Sequence, residues 1–301
     1  NTVSFSNPLC ISLNPIPKKQ IYTKLNNIKY PYTFSLLKIL NRIKPDLIYN
    51  RTGTALSGIA AYYSKKNKCR FVFHIASDKD VKSPPVLWGK PWLNPEYKFL
   101  QYGIKNANSI IAQTQFQAEQ LGKNHNRSAV VIPNGHPVPA DCQKVSSPIS
   151  VLWIANCKPI KRPELFIRLT KELGESKNIN FIMLGRTVGY EKLAIKAREI
   201  GIDVRGEVSD EKVRKILSQS HILVNTSKTE GFSNTFIEAW MHRVPVVSLN
   251  VDPDNILKEN RLGFCSGDLK SLARDTTLLI NDEDLRESMG DRARKYSIKH
   301  H

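Results

Sequence analysis

From residue 32 onward the apolar positions change period in a regular rhythm. Phe34, Leu36, Leu37, Leu40 and Ile43 recur at helical spacing, and Pro45 ends that run. Residues 46–50 then read as a strand, 55–64 as a helix of small residues and 70–76 as a second strand. The same alternation gives helices over 95–106 and 115–121 and strands over 109–112 and 129–132. Short strands alternating with helices predict βαβ units and parallel, doubly wound sheets. Residues 1–30 carry a weaker pattern, with short strands expected over 2–6 and 10–13.

The rhythm breaks at residues 136–148, where Pro137, Pro139 and Pro148 stand among polar residues. It restarts with strands over 149–155, 180–184, 203–205, 221–225 and 244–248. Helices are expected between them over 163–173, 191–200, 210–218 and 234–242, and then over 268–280 and 283–296. This predicts an α/β chain with one Rossmann-like domain over 1–135, a linker over 136–148 and a second over 149–301. The closing His300-His301 pair reads as the start of a tag, outside the fold.

Charge adds an asymmetry. The net charge is +18. Residues 1–140 hold 19 Lys and Arg against 5 Asp and Glu, a surplus of 14; the rest of the chain holds 26 against 22. A field of that sign attracts anionic partners such as lipid headgroups, phosphorylated glycans or nucleic acid. Basic and aromatic residues interleave over 18–44 and again over 82–105, where Trp88 and Trp92 lie. That mixture suits an anionic membrane surface. No nucleic-acid-binding module is visible, so nucleic acid is not expected as a partner. No run of about 18 apolar residues spans a membrane, and no signal peptide opens the chain. Five scattered Cys without a CxxC pair predict reduced thiols and a cytoplasmic setting, with peripheral attachment at the inner membrane.

Four groups of residues are candidates for chemistry. Glu230 and Glu238 stand eight apart across a strand–Gly turn–helix sequence. The amides of Gly231, Phe232, Ser233 and Asn234 would hold a diphosphate at the helix start, and the two carboxylates would accept bonds from sugar hydroxyls. Acidic residues near a helix start also suit its dipole without any ligand. Lys161-Arg162-Pro163 follows the strand that ends near Ala155; the two cations suit a diphosphate leaving group, and equally a solvated loop. His74 closes a buried strand, where it would meet a sugar hydroxyl or serve as a structural residue. Asp78-Lys-Asp80, Asp252-Pro-Asp254 and Asp282-Glu-Asp284 have the spacing of metal-diphosphate motifs, but no further acid or His clusters beside them in sequence. No GxxxxGK[ST], GxGxxG or GxSxG pattern occurs.

These motifs together resemble the retaining GT-B glycosyltransferases of family 4. Glu230 to Glu238 is similar to the family's E-x7-E motif, and Ala155-Asn156 with Lys161-Arg162-Pro163 to its strand–loop–Lys element. Ile132-Pro-Asn-Gly135 resembles the family's turn before the linker, and Gly206-Glu-Val208 its nucleobase loop. The resemblance implies a GT-B fold, a nucleotide-sugar donor, a glycan or lipid-linked acceptor, retention of anomeric configuration and no cofactor or metal. It implies that Glu230 and His74 act at the transferred sugar and Glu238 at the ribose. Lys161 would meet the diphosphate and Val208 the base. Many members carry Gly-Arg where this chain has Ala155-Asn156, which leaves Arg162 to replace the missing cation. Cell-surface polysaccharide or glycolipid synthesis is the implied setting. A nucleotide-sugar epimerase of the same fold, or a non-catalytic basic binding protein, are the alternatives.

Overall fold

The computed structural model describes residues 31–82, 95–140, 147–174 and 178–301. The expected strands within 1–30, residues 141–146 of the expected linker, and Trp88 and Trp92 lie outside the described residues. The described residues form two compact units, 31–74 with 95–110 in one, and the described residues of 75–82 and 111–301 in the other.

In the first unit, α1 (Pro31–Ile43), β1 (Leu47–Arg51), α2 (Ala55–Asn67), β2 (Arg70–His74) and α3 (Pro95–Asn106) follow the predicted order. β1 and β2 pair in parallel, with Tyr49 opposite Val72 and Arg51 opposite His74. Thr54 caps α2 by accepting from Leu56 N, and Lys68 ends it in the left-handed region. Helices α2 and α3 meet through glycines. A Cβ on Gly58 would lie 2.4 Å from Phe99 O, and one on Gly103 2.8 Å from the Ser57 carbonyl carbon.

The second unit opens with a 3-10 turn at Asp78–Asp80. There follow β3 (Ser109–Ala112), whose first two residues belong to the first unit, α4 (Gln115–His125) and β4 (Val130–Val131), with β3 and β4 parallel. Then come β5 (Ile149–Ile154), α5 (Pro163–Leu173), β6 (Ile179–Leu184), α6 (Glu191–Glu199), β7 (Asp203–Gly206) and α7 (Asp210–Ser218). The chain continues through β8 (Ile222–Asn225), α8 (Asn234–Met241), β9 (Val246–Ser248), α9 (Ile256–Glu259), β10 (Gly263–Cys265), α10 (Leu269–Asn281) and α11 (Glu283–His300).

Strands β5 to β10 form one parallel sheet in the order β7-β6-β5-β8-β9-β10. Chain direction across the sheet therefore reverses between β5 and β8. Both faces are covered, which is why these strands read as continuous apolar runs. Along β5, Ile149, Val151 and Trp153 enter one core with Phe166 and Phe181, while Leu152 enters another with Phe236 and Trp240. Phe236, Ile237, Ala239 and Trp240 on α8 have no exposed surface. Burying each large side chain among them stabilises by about 1.5–3 kcal/mol.

Two elements go beyond the sequence expectation. β10 and α9 are three and four residues long, too short to show a period. β10 approaches β9 so closely that a Cβ on Gly263 would lie 1.9 Å from Val246 O. A third finding corrects the placing of His300-His301 outside the fold. α11 runs through His300, and the His301 ring packs on Phe232 at 4.8 Å between centroids. His301 Nδ1 bonds Asn134 O at 2.9 Å, and His301 O accepts from His136 N.

Candidate active site

Ligands of doubly wound sheets sit beyond the carboxyl ends of strands at the point where strand order reverses. Here that point lies between β5 and β8. The loop after β5 carries Lys161 and the loop after β8 carries Glu230. Lys161 Nζ donates to Glu230 Oε1 at 2.5 Å, with side chains 25% and 15% exposed. Ser227 Oγ donates to the same oxygen at 2.7 Å and Asn225 Nδ2 at 3.5 Å. Among the described residues, Oε2 accepts no hydrogen bond. The carboxylate is thus clamped by one oxygen and open at the other. It lines a cavity of about 610 Å³ with Gly231, Lys228, Asn250 and Thr114.

Arg162 takes a different place from its neighbour. Its backbone is left-handed at φ 49°, and Pro163 starts α5 directly after it. Its guanidinium donates to Thr226 O at 2.7 Å, Ser227 O at 3.0 Å and Asn250 Oδ1. The fork thus braces the loop between β8 and Glu230. Thr226 Oγ1 in turn donates to Lys161 O at 2.7 Å and accepts from Trp153 Nε1 at 2.9 Å. Asn156 is exposed, and its Oδ1 accepts from Arg186 N at 3.0 Å.

Gly231 makes the turn possible by close packing. A Cβ there would stand 2.7 Å from Ala76 O and 3.0 Å from Gln117 Nε2. Phe232 N donates to Gln113 Oε1 at 3.3 Å, and its ring sits edge-on to Trp240 at 6.2 Å. Ser233 is the N-cap of α8 without a side-chain cap bond; its Oγ meets Thr235 Oγ1 instead. Phe236 N donates to Ser233 O at 3.1 Å and Phe232 N is taken by Gln113, so the helix-start amides left for an anion are those of Asn234 and Thr235. Asn234 Oδ1 accepts from Asn134 Nδ2 at 2.8 Å, and Asn134 Oδ1 accepts from Gln113 Nε2 at 3.2 Å. Gln113 was missed by sequence reasoning, because its partner Phe232 lies 119 residues away.

Glu238 lies in the second turn of α8, half-buried, with His136 Nδ1 3.8 Å from its carboxylate. Burial pushes its carboxyl pKa above the usual range, with Asp210 adding to the rise and His136 and Arg214 opposing it. Val208 is half-buried against the α8 side core, in the loop between β7 and α7.

In the two Asp-x-Asp pairs 78–80 and 252–254, Asp80, Asp252 and Asp254 accept from backbone N–H groups and Asp78 from a side chain. Asp252 accepts from Leu257 N at 2.8 Å, and Asp254 from Gln115 N and Phe116 N at 2.7 and 2.9 Å, at the start of α4. Asp80 accepts from Ala76 N and Ser77 N, while Asp78 accepts from Gln117 Nε2. Among the described residues there is no group of three or more His, Cys, Asp or Glu side chains arranged to hold a metal ion. Nor is any helix among them long and apolar enough to cross a membrane.

In the first unit, His74 ends β2 and is 8% exposed. Tyr49 Oη and His74 Nδ1 are hydrogen-bonded, and His74 Nε2 is buried with no partner among the described residues. Burial lowers the ring's pKa and the charge of Arg51 lowers it further, both of which favour the neutral imidazole. Tyr49 was also missed. Its strand was legible, but the pairing that brings it to His74 was not.

A family model described as "Glycosyl transferases group 1" matches residues 140–296, just over half of the chain. A glycosyltransferase of Methanocaldococcus jannaschii is 25% identical over 211 residues, covering 67% of this chain and 58% of that protein. The capsular polysaccharide biosynthesis glycosyltransferase CapM of Staphylococcus aureus is 39% identical over 79 residues, 25% of this chain and 20% of CapM. The chain thus spans less than two thirds of the length of either relative. Among solved structures, Anabaena HepE in complex with UDP-glucose superposes with a TM-score of 0.72 at 17% identity, covering 88% of this chain and 78% of HepE.

Proposed function

The chain belongs to the glycosyl transferases of group 1 and has their GT-B fold of two Rossmann-like domains; from that membership we propose that it moves a sugar from a nucleotide donor to a glycan or lipid-linked acceptor. The observation that carries this reading is the Lys161–Glu230 pair at the strand-order reversal, beside the open amides of α8. The α8 amides and Lys161 bind the diphosphate, and Glu230 Oε2 accepts from hydroxyls of the sugar. Glu238 holds the ribose and Val208 faces the base. His74 acts at the reacting sugar. In the transfer, the bond from the anomeric carbon to the diphosphate oxygen breaks. The bond from the acceptor oxygen to that carbon forms with retention, and the hydroxyl proton leaves with the nucleoside diphosphate. The fixed positive groups carry the leaving charge without a metal. The HepE structure with UDP-glucose supports a uridine donor for this fold.

A thermal-shift screen against nucleotide sugars tests donor binding, since a ligand held by the folded state alone raises its melting temperature. At 100 times the dissociation constant the stabilisation is about 2.7 kcal/mol. Release of nucleoside diphosphate on adding acceptor, unchanged by EDTA, is the expected result. Isomerised sugar without transfer would identify an epimerase, and no response to any donor would leave only a binding protein.

The membrane part of the proposal rests on charge. The basic surplus of residues 1–140 draws the protein to the cytoplasmic face of the inner membrane, where a lipid-linked acceptor and cell-surface polysaccharide or glycolipid synthesis are found. In the first unit, exposed Ile43, Leu47 and Tyr49 stand among Arg42, Lys44 and Arg51. Sedimentation with anionic vesicles should exceed that with neutral vesicles by about tenfold at low salt and fall as salt rises. Equal binding to both vesicle types would remove the membrane assignment.

A further inference from the structure

The contact between Tyr49 and His74 determines more than ring orientation. β1 and β2 run in parallel with Tyr49 opposite Val72, so Tyr49 and His74 project on one side, one diagonal step apart. The rings meet edge-on, 5.8 Å between centroids at 70°. Thr52 N donates to His74 O at 3.1 Å, which ties the backbone after β1 to the end of β2. His74 is almost wholly buried, whereas Tyr49 is 53% exposed.

A neutral imidazole has one N–H donor and one bare nitrogen acceptor. The phenol O–H is a stronger donor than an imidazole N–H, and bare imidazole nitrogen is a stronger acceptor than phenol oxygen. With Tyr49 half exposed, water can serve the remaining lone pairs of its hydroxyl at little cost. The favoured arrangement is Tyr49 Oη–H donating to bare Nδ1. The proton of the ring then sits on Nε2, the buried nitrogen that has no partner among the described residues. A buried polar atom left unpaired in a native structure calls for an explanation. An N–H held for a ligand oxygen supplies one.

We propose that Tyr49 is a positioning residue that fixes His74 as its Nε2–H tautomer, so that His74 meets substrate as a hydrogen-bond donor and not as a base. This rests on the reading above that His74 acts at the reacting sugar. A donor at that position binds a sugar hydroxyl oxygen and takes up no proton during transfer.

The test is nitrogen NMR of the full chain with labelled histidine, the His74 signals being assigned by their loss in His74→Gln. Nδ1 is expected at a bare-nitrogen shift and Nε2 at a protonated one. In Tyr49→Phe, which removes the hydroxyl that meets Nδ1 and keeps the ring, the two shifts should move toward each other as both tautomers populate. A protonated Nδ1 in the unaltered protein, or unchanged shifts in Tyr49→Phe, would overturn the proposal. Transfer assays add an independent readout. Tyr49→Phe should lower kcat/KM about 3–10-fold, the worth of one hydrogen bond. His74→Gln, which keeps an N–H near Nε2, should retain more activity than His74→Asn, which places it near Nδ1; the reverse order would count against a donor role. If the tautomer is as expected but neither His74 variant alters transfer, the reading of His74 at the sugar fails, and its donor role with it, while the assignment of Tyr49 as the residue that fixes the tautomer stands.

Discussion

Glu230→Gln should reduce transfer by about 10²–10³-fold in kcat, the range seen when a fixed polar group aimed at a transition state is removed. The substitution keeps the shape of the side chain. A Gln oxygen at the Oε1 position still accepts from Ser227 and Asn225, which lie at 2.7 and 3.5 Å. What disappears is the charge, and with it the ion pair with Lys161, whose ammonium at 2.5 Å keeps only a neutral amide oxygen as its acceptor. The lysine retains a quarter of its side-chain exposure, so solvent screens part of the loss. The stability cost is about 1 kcal/mol, well below that of opening a fully buried pair. A large loss of kcat in a protein whose melting changes by a few degrees is therefore the expected signature. Lys161→Met and the double variant complete the cycle. If the two groups act as a unit, the double variant loses little more than either single one. Full transfer by Glu230→Gln would remove Glu230 from the chemistry.

That prediction draws on residues legible in the sequence, for a physical reason. Glu230 and Lys161 each follow a strand that is buried on both faces, so the apolar runs at 149–155 and 221–225 marked where the loops begin. Pro163 marked the start of α5 because proline fits the first turn of a helix. Strand order was not legible. β5 and β8 are neighbours although β6 and β7 lie between them in sequence, and only that adjacency brings Lys161 to Glu230. Asp252-Pro-Asp254 shows the opposite failure. Its spacing suggests cation binding, but Asp254 meets backbone N–H groups 138 and 139 residues away. A carboxylate cannot reveal in sequence whether it faces a metal or a helix start. His301 has the composition of a tag and no period to place it, yet its ring covers Phe232 in the Glu230 loop. β10 and α9 were invisible because three or four residues do not complete a pattern.

Gly185→Ala should be the most destabilising of single-methyl additions near the site, at about 2–5 kcal/mol. Gly185 follows β6 with φ +125°, a conformation that side chains rarely adopt. A Cβ there would stand 1.9 Å from Ala155 O and 2.4 Å from Ala155 C, both backbone atoms that cannot swing aside. The strain and the clash are separable. Gly201 also has positive φ, at +79°, but nothing lies within 4 Å of its Cβ position. Gly201→Ala thus reports the conformational cost alone, about 1 kcal/mol. The excess at Gly185 measures the close approach, and melting should fall by roughly 5–15 °C for it. The consequence extends to the site. Cys157 N donates to Arg186 O at 2.8 Å, and Arg186 N to Asn156 Oδ1 at 3.0 Å, so residues 185–186 are laced to the loop that leads to Lys161. A methyl group at 185 pushes that loop away from β6 and shifts Lys161 relative to Glu230. Near-attack geometry tolerates little displacement, and a shift of about 1 Å costs on the order of 10²-fold in rate. Gly185→Ala is therefore expected to lose activity below its melting range, whereas Gly201→Ala keeps it. Equal melting temperatures for the two variants would show that β6 and the Ala155 loop are not packed as closely as their backbones indicate.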